Sequence, residues 1–434
     1  MKVAFHTLGC KVNQDDTQGL AKRFLDRGYQ VVPFQSGADI YVINTCSVTG
    51  VGEQKSRQMI RRAHQLNPEA VIAVTGCYAQ TSPQVIAEIL GVNLVIGMAE
   101  RPRIVELVEA FLSDRENRQV VAEVHQLESW VDLPLGDSTT GGALQRTRAS
   151  LKIEEGCEQF CSYCIVPYAR GGVRSMPPEQ VIKSFRNLVA QGYREIVLTG
   201  IHLGAYGKDL GLCLNDILRQ VVTIKGDFRI RLGSIEPLDL TDALLETVLR
   251  ESRICPSFHI PLQSGCNKIL EMMKRGYERD FFALKIDLLR RGNPMVAIGT
   301  DLIVGFPGET EADFEETRLF VAAQQFSRIH IFRYSPRQGT PAAALSNRIP
   351  ETEKARRSKI IQELACRSAV DFAARFAGQE VAVLFEEPFP GGWTGLSGEY
   401  LTVRYDTGAD LKNQLRRVVI ANNQDECLLA KRLV

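Results

Sequence analysis

At 434 residues, with 24% charged and 44% hydrophobic side chains, the chain is too long for one ordinary core, and about two to four globular domains are expected. Its net charge of +1 leaves any nucleic-acid contact to local patches. No apolar run approaches the roughly 18–20 residues that span a bilayer, and "MKVAFHTLGC" has no signal-peptide core. A cytoplasmic location with no membrane partner is therefore expected, where eleven reduced cysteines favour metal binding over disulfides.

Taken in chain order, the first segment alternates short apolar strands ("KVAFHTLG", "DIYVINT", "AVIAVTG", "LVIGM") with helical stretches such as "DDTQGLAKRFLDRG" and "GEQKSRQMIRRAHQL". That alternation predicts a parallel α/β sheet domain over residues 1–125. A polar, Gly-containing stretch, "DLPLGDSTTGGALQRTRAS", then breaks the periodicity, and a linker is expected over 126–145. Six further strands follow between helices: "ASLKIEEG", "EIVLTG", "FRIRLGS", "SFHIPLQ", "MVAIGTDLIVGF" and "RIHIFRYS". They predict an open (β/α)6 barrel over 146–368, with loops at the strand C-termini forming a site. The basic helical run "ETEKARRSKIIQELACRSAVDFAARFAG" closes it, and the turn-rich "EVAVLFEEPFPGGWTGLSGEYLTVRYD" predicts a small all-β barrel over 369–434.

Cysteines carry the chemistry. Cys157, Cys161 and Cys164 form C-x3-C-x2-C directly after the first barrel strand. Thiolates are soft ligands for zinc or an iron–sulfur cluster, and this spacing favours neither. Cys10, Cys46 and Cys77 are far apart, yet each sits just past an apolar strand, in "TLGC", "INTC" and "VTGC". Loops after parallel strands converge on one sheet edge, so three thiols can meet there. Cys213, Cys255, Cys266, Cys366 and Cys427 have no paired spacing and read as core or incidental thiols.

The C-x3-C-x2-C after a first barrel strand, with Tyr163 before the third Cys, resembles the radical S-adenosylmethionine (SAM) enzymes. Nearly the whole chain is similar to the methylthiotransferases among them, through "TLGCKVNQ", "NTCSVT", "VTGCYAQ", "EGCEQFCSYCIVPYARG", "LTGIHLGAYG", "HIPLQSGCNKIL", "TDLIVGFPGET" and "FRYSPRQGT". "LGCKVNQ" is similar to the branch acting on N6-threonylcarbamoyladenosine beside the tRNA anticodon. Two other branches act on isopentenyladenosine and on a ribosomal protein aspartate. A zinc-stabilised, non-catalytic RNA-binding protein is the reading from another class. Asp16, Gly233 and Glu278 depart from the family's usual residues and bear on substrate contacts rather than on the reaction.

The resemblance implies two 4Fe–4S clusters, one at Cys157, Cys161 and Cys164 with an iron open to SAM, and an auxiliary one at Cys10, Cys46 and Cys77. It implies a methylthio group added to adenine C2, SAM serving both as methyl donor and as radical source. It further implies tRNA as partner, an electron donor such as flavodoxin or ferredoxin, and a C-terminal RNA-binding TRAM domain. Around SAM it points to Tyr163, Thr199, Gly200, Ser234, Glu236, His259, Gln263, Ile303 and Gly305. Arg170, with Arg174, is expected on a SAM carboxylate or an RNA phosphate. Arg356, Arg357 and Lys359 are expected to face RNA.

Overall fold

The computed structural model describes residues 1–134, 147–424 and 427–433; most of the expected linker lies outside the described residues. The N-terminal sheet contains β1 (Lys2–Thr7), β2 (Gln30–Val32), β3 (Ile40–Thr45), β4 (Val71–Gly76), β5 (Val92–Ile96) and β6 (Arg118–Val120). Its order is β2-β1-β3-β4-β5-β6, and every pairing is parallel. The central strands β3 and β4 are buried along their whole length, because helices cover both faces of such a sheet and neither side can stay polar. Side-chain alternation sends Tyr41, Ile43, Ile72 and Val74 to one core and Ile40, Val42, Val71 and Ala73 to the other. The edge strands β2 and β6, three residues each, are too short to leave a period in the sequence and were not expected from it.

The second layer set holds β7 (Ala149–Lys152), β8 (Glu154–Glu155), β9 (Arg174–Ser175), β10 (Glu195–Thr199), β11 (Arg229–Leu232), β12 (Ser257–His259), β13 (Ala297–Val304) and β14 (Arg328–Arg333). Six of these strands form two parallel sheets, β11-β10-β7 and β12-β13-β14. Bridges from Ile230 to Ile254 and from Ser234 to His259 join them, giving the open half-barrel expected of six strand–helix units. Its apolar core lies between strands and helices, with Leu151, Leu198, Ile230, Ile298 and Leu302 at or near zero exposure. Burying each such side chain contributes about 1.5–3 kcal/mol. The antiparallel pair β8-β9 sits outside the barrel and brackets the C-x3-C-x2-C loop.

The last five strands, β15 (Glu380–Phe389), β16 (Gly392–Ser397), β17 (Thr402–Asp406), β18 (Leu415–Gln424) and β19 (Cys427–Leu433), form a closed barrel. The expected boundary after residue 368 falls inside the helix Glu351–Ala374. That helix is shared: Ile361 packs into the half-barrel core and Phe372 into the C-terminal one. No helix among the described residues is long and apolar enough to cross a membrane.

Candidate metal centres

Strands β1, β3 and β4 are neighbours in the sheet, so the residues just past their C-termini emerge side by side, about 5 Å apart per strand. Those residues are Cys10, Cys46 and Cys77. Cys10 stands at the N-cap of the helix Lys11–Asp26, and desolvation holds its thiol above the ordinary value despite the neighbouring Arg170 charge. Cys46 and Cys77 are buried. The approach is close: a Cβ on Gly9 would lie 3.0 Å from the Cys46 sulfur. Cys77 follows Gly76, whose φ of +97° only glycine adopts freely. A Cβ there would fall 2.4 Å from the Thr45 carbonyl oxygen.

The second triad is set the same way. Gly156, with φ +93°, precedes Cys157, and a Cβ would fall 1.8 Å from the Gly172 carbonyl oxygen. The Cys157 amide donates to the Gly171 carbonyl at 3.0 Å, which pins the start of the loop. Cys161 is buried, while Cys157 and Cys164 are half-buried. Burial pushes the Cys164 and Cys46 thiols up to about 12, so at neutral pH both hold their protons until a cation displaces them.

Three sulfur contacts come from nitrogen donors. The Arg170 Nε donates to Cys77 at 3.4 Å, and the Arg275 Nη1 donates to Cys161 at 3.4 Å. His202 Nδ1 lies 3.7 Å from Cys157, and its Nε2 lies 2.6 Å from Asp239. Burial opposes a charge on His202, but Asp239 and the Cys157 sulfur outweigh it and push the imidazole up to about 10. Arg275 also bonds Glu236 and reaches the Tyr163 hydroxyl at 3.5 Å. His202 and Arg275 were missed in the sequence, since nothing local marks them as neighbours of a cysteine.

The donor sets fit a cluster better than a single ion. Tetrahedral zinc bound by thiolates needs sulfurs about 3.8 Å apart. Among the described residues, the one group of three His, Cys, Asp or Glu ligand atoms within 4.8 Å of one another is His259, Asp301 and His330. Both cysteine triads are more open than that, and each is all thiol, the donor set of iron–sulfur clusters.

Between the triads lies a buried ionic network. Asp16 receives bonds from Arg101, Lys152 and Arg170. Glu155 receives them from Lys152 at 2.8 Å and from Arg170. Burial disfavours these carboxylates' charge, yet the three cations overcome it and hold both below the usual carboxylate range. Arg170 therefore differs from expectation: it has no exposure, and its donors go to Glu155, Asn13, Asp16 and the Cys77 sulfur. With four of its five N–H donors so engaged and no exposed surface, it is not placed to meet a SAM carboxylate or an RNA phosphate. Arg174 is likewise buried, donating to the Gly172 and Arg170 carbonyls, both at 2.8 Å.

The other expected site residues fall as follows. Tyr163 and Ile303 meet in one apolar cluster with Phe306 and Tyr334. The Thr199 hydroxyl is turned away to Asp15 at 2.6 Å. Gly200 admits Glu154, whose Oε2 a Cβ there would meet at 2.5 Å. That carboxyl is wholly buried, with Oε1 unpartnered, and burial pushes it up to about 8. Ser234 and His259 pair across the seam between the two sheets. Gln263, at φ +71°, exchanges backbone bonds with Asp301 and Ile303. Gly305 makes a tight turn against the Lys354 stem, with its amide on Glu309 at 2.7 Å. Arg357 is buried against Glu309 and Glu353, which removes it from any RNA face. Arg356 is exposed but paired with Glu311 and Glu353; Lys359 is exposed.

Residues 2–97 match the model of an uncharacterized protein family, UPF0004, and residues 151–321 that of the radical SAM superfamily. The threonylcarbamoyladenosine tRNA methylthiotransferase MtaB of Bacillus subtilis is 41% identical, covering 96% of this chain and 93% of its own. The MtaB of Aquifex aeolicus is also 41% identical, over 89% and 93% of the two chains. A tRNA-2-methylthio-N(6)-dimethylallyladenosine synthase of Moorella thermoacetica is 37% identical over 91% and 89%. In structure, the radical SAM methyltransferase TsrM of Kitasatospora setae superposes with a TM-score of 0.58 at 14% identity, over 79% and 77% of the chains, a likeness of fold. With two relatives of one activity at 41% identity over most of its length and two thiol triads in place, the chain belongs to the radical SAM tRNA methylthiotransferases.

Proposed function

We propose that this protein adds a methylthio group to C2 of N6-threonylcarbamoyladenosine in tRNA, using SAM and two 4Fe–4S clusters. One structural observation carries the reading: the two triads are joined through a dipeptide. The Arg170 side chain touches Cys77, while the next residue's carbonyl, Gly171, holds the Cys157 amide. Sulfur and radical chemistry can thus be brought to one substrate atom without a moving domain.

When bound, SAM and the clusters supply the methyl group, the sulfur and the one-electron chemistry. The chain's own residues hold and shield. Cys10, Cys46 and Cys77 would ligate the auxiliary cluster, and Cys157, Cys161 and Cys164 the SAM-binding one. Arg170 and Arg275 donate N–H bonds to ligand sulfurs, which stabilises negative charge there. Tyr163 and Ile303, packed with the buried Phe306 and Tyr334, form an apolar cluster at the C-x3-C-x2-C loop, and such packing keeps water from reactive species. The residues proposed around SAM are Tyr163, Gly200, Ser234, Glu236, His259, Gln263, Ile303 and Gly305; an electron donor such as flavodoxin or ferredoxin and a cytoplasmic setting complete the reading.

Nucleoside analysis of tRNA from cells lacking the gene tests it. The methylthio form of threonylcarbamoyladenosine should vanish and return on complementation. Its persistence, with the methylthio form of dimethylallyladenosine lost instead, assigns the protein to the other tRNA branch.

A further inference from the structure

Alternation along β14 sends Ile329 and Ile331 into the half-barrel core, and the opposite face carries Arg328, His330 and Phe332, all exposed. At the foot of that stripe is the ring of Tyr400, presented by the turn between β16 and β17 with φ +68°. Three cations converge on this ring: the Arg231 guanidinium 4.7 Å from its centroid, Arg328 at 5.1 Å and the Lys11 ammonium at 5.8 Å. They come from different parts of the fold, and Lys11 immediately follows the triad residue Cys10.

The three are not equivalent. Arg231 is buried and paired with Glu195, which it shares with Arg229. Lys11 and Arg328 are exposed, and among the described residues neither has a carboxylate within ion-pair distance. The nearby Asp301 is already engaged by His259 and His330, at 3.1 Å each. Two uncompensated cations on the Cys10 side of the molecule raise the local potential and favour an anionic guest.

We infer that Lys11 and Arg328 bind the carboxylate at the end of the substrate's amino-acid side chain. The inference rests on the proposed substrate. A threonylcarbamoyl group ends in a carboxylate and a dimethylallyl group has none. N6 and C2 flank the same edge of adenine, so a group on N6 lies within a lysine's reach of a centre at Cys10. Arg328 offers a planar fork matched to a carboxylate, and Phe332, further along the same stripe, offers a face for the base to stack on.

The test uses two anticodon stem-loop RNAs, one carrying threonylcarbamoyladenosine and one carrying its methyl ester. Binding to the unreduced enzyme and kcat/KM for methylthiolation are measured for both. The wild type should prefer the acid by on the order of tenfold or more. Arg328→Met and Lys11→Met should each shrink that preference, and the double variant should bring it close to one, with Arg328→Lys restoring part of it. If Lys11→Met loses iron because it adjoins Cys10, the Arg328 pair of variants carries the test alone. A preference unchanged in the variants overturns the inference. So does equal weakening of acid and ester, which identifies the anion as an RNA phosphate. A wild type that modifies only a dimethylallyl hairpin overturns the substrate reading and this assignment with it.

Discussion

Every donor of a fully buried guanidinium needs a partner, and Arg170 has them on both sides of a domain junction. Glu155 belongs to the half-barrel domain; Asn13, Asp16 and Cys77 belong to the N-terminal domain. Removing the charge would leave Asp16 and Glu155 sharing only Arg101 and Lys152. Breaking a buried ion pair from one side costs roughly 3–5 kcal/mol. Arg170→Met is therefore expected to lower the thermal midpoint strongly and to reduce iron per chain after anaerobic reconstitution. Arg356→Ala, which removes an exposed arginine from its pairs with Glu311 and Glu353, should change neither. Equal behaviour of the two variants in calorimetry and iron analysis would refute the distinction. Asp16, marked in the sequence as a departure from the family pattern, sits in this same network, joined through Arg170 to the triad residue Cys77.

At the scale of elements, the strand ends do most of the positioning, and much of that was legible. Period and length mark β1, β3, β4, β5 and all six half-barrel strands, because each is an apolar or alternating run ended by a turn residue. The six candidate cysteines are marked by their places relative to those runs. The partners of the cysteines are not. Arg170 and Asp16 stand 154 positions apart, and a buried cation looks the same in sequence as a wet one. Arg357 shows the converse error, since a basic helix run gave no sign that one of its residues faces inward. The glycine before Cys157 was in view as "EGC", yet its need for positive φ emerges only when Gly172 is seen to pack against it. Gly156→Ala should displace the loop and abolish reductive SAM cleavage, with loss of about half the iron. Gly192→Ala has a similar φ of +88° but nothing within 4 Å of the added Cβ. It should lose only the roughly 1 kcal/mol of a left-handed non-glycine and keep its iron. A Gly156→Ala protein that retains both iron and SAM cleavage would show that the loop can yield.

For the whole molecule, the junction between sheet and half-barrel has a pH dependence set by Asp15. Its carboxylate, on the helix Lys11–Asp26, accepts the Thr199 and Ser150 hydroxyls at 2.6 and 2.9 Å. Burial pushes it up to about 6, and those two hydroxyl bonds offset only part of that rise. The folded state thus holds this proton more tightly than the unfolded chain, whose aspartates titrate near about 3.9. The associated stability is fully present below that value and is lost as pH rises through about 6. The difference is on the order of 3 kcal/mol. Asp16 and Glu155, held low by their cations, have the opposite sign and stay ionised across this window. Asp15→Asn cannot titrate, so comparing it with the wild type isolates the effect. Denaturant unfolding of both proteins from about pH 4 to about pH 7.5 should show the variant gaining on the wild type by that amount, most of it before the pH passes about 6. A difference that stays flat, or that grows as pH falls, would mean that Asp15 is already ionised at about pH 4 and that burial does not raise it.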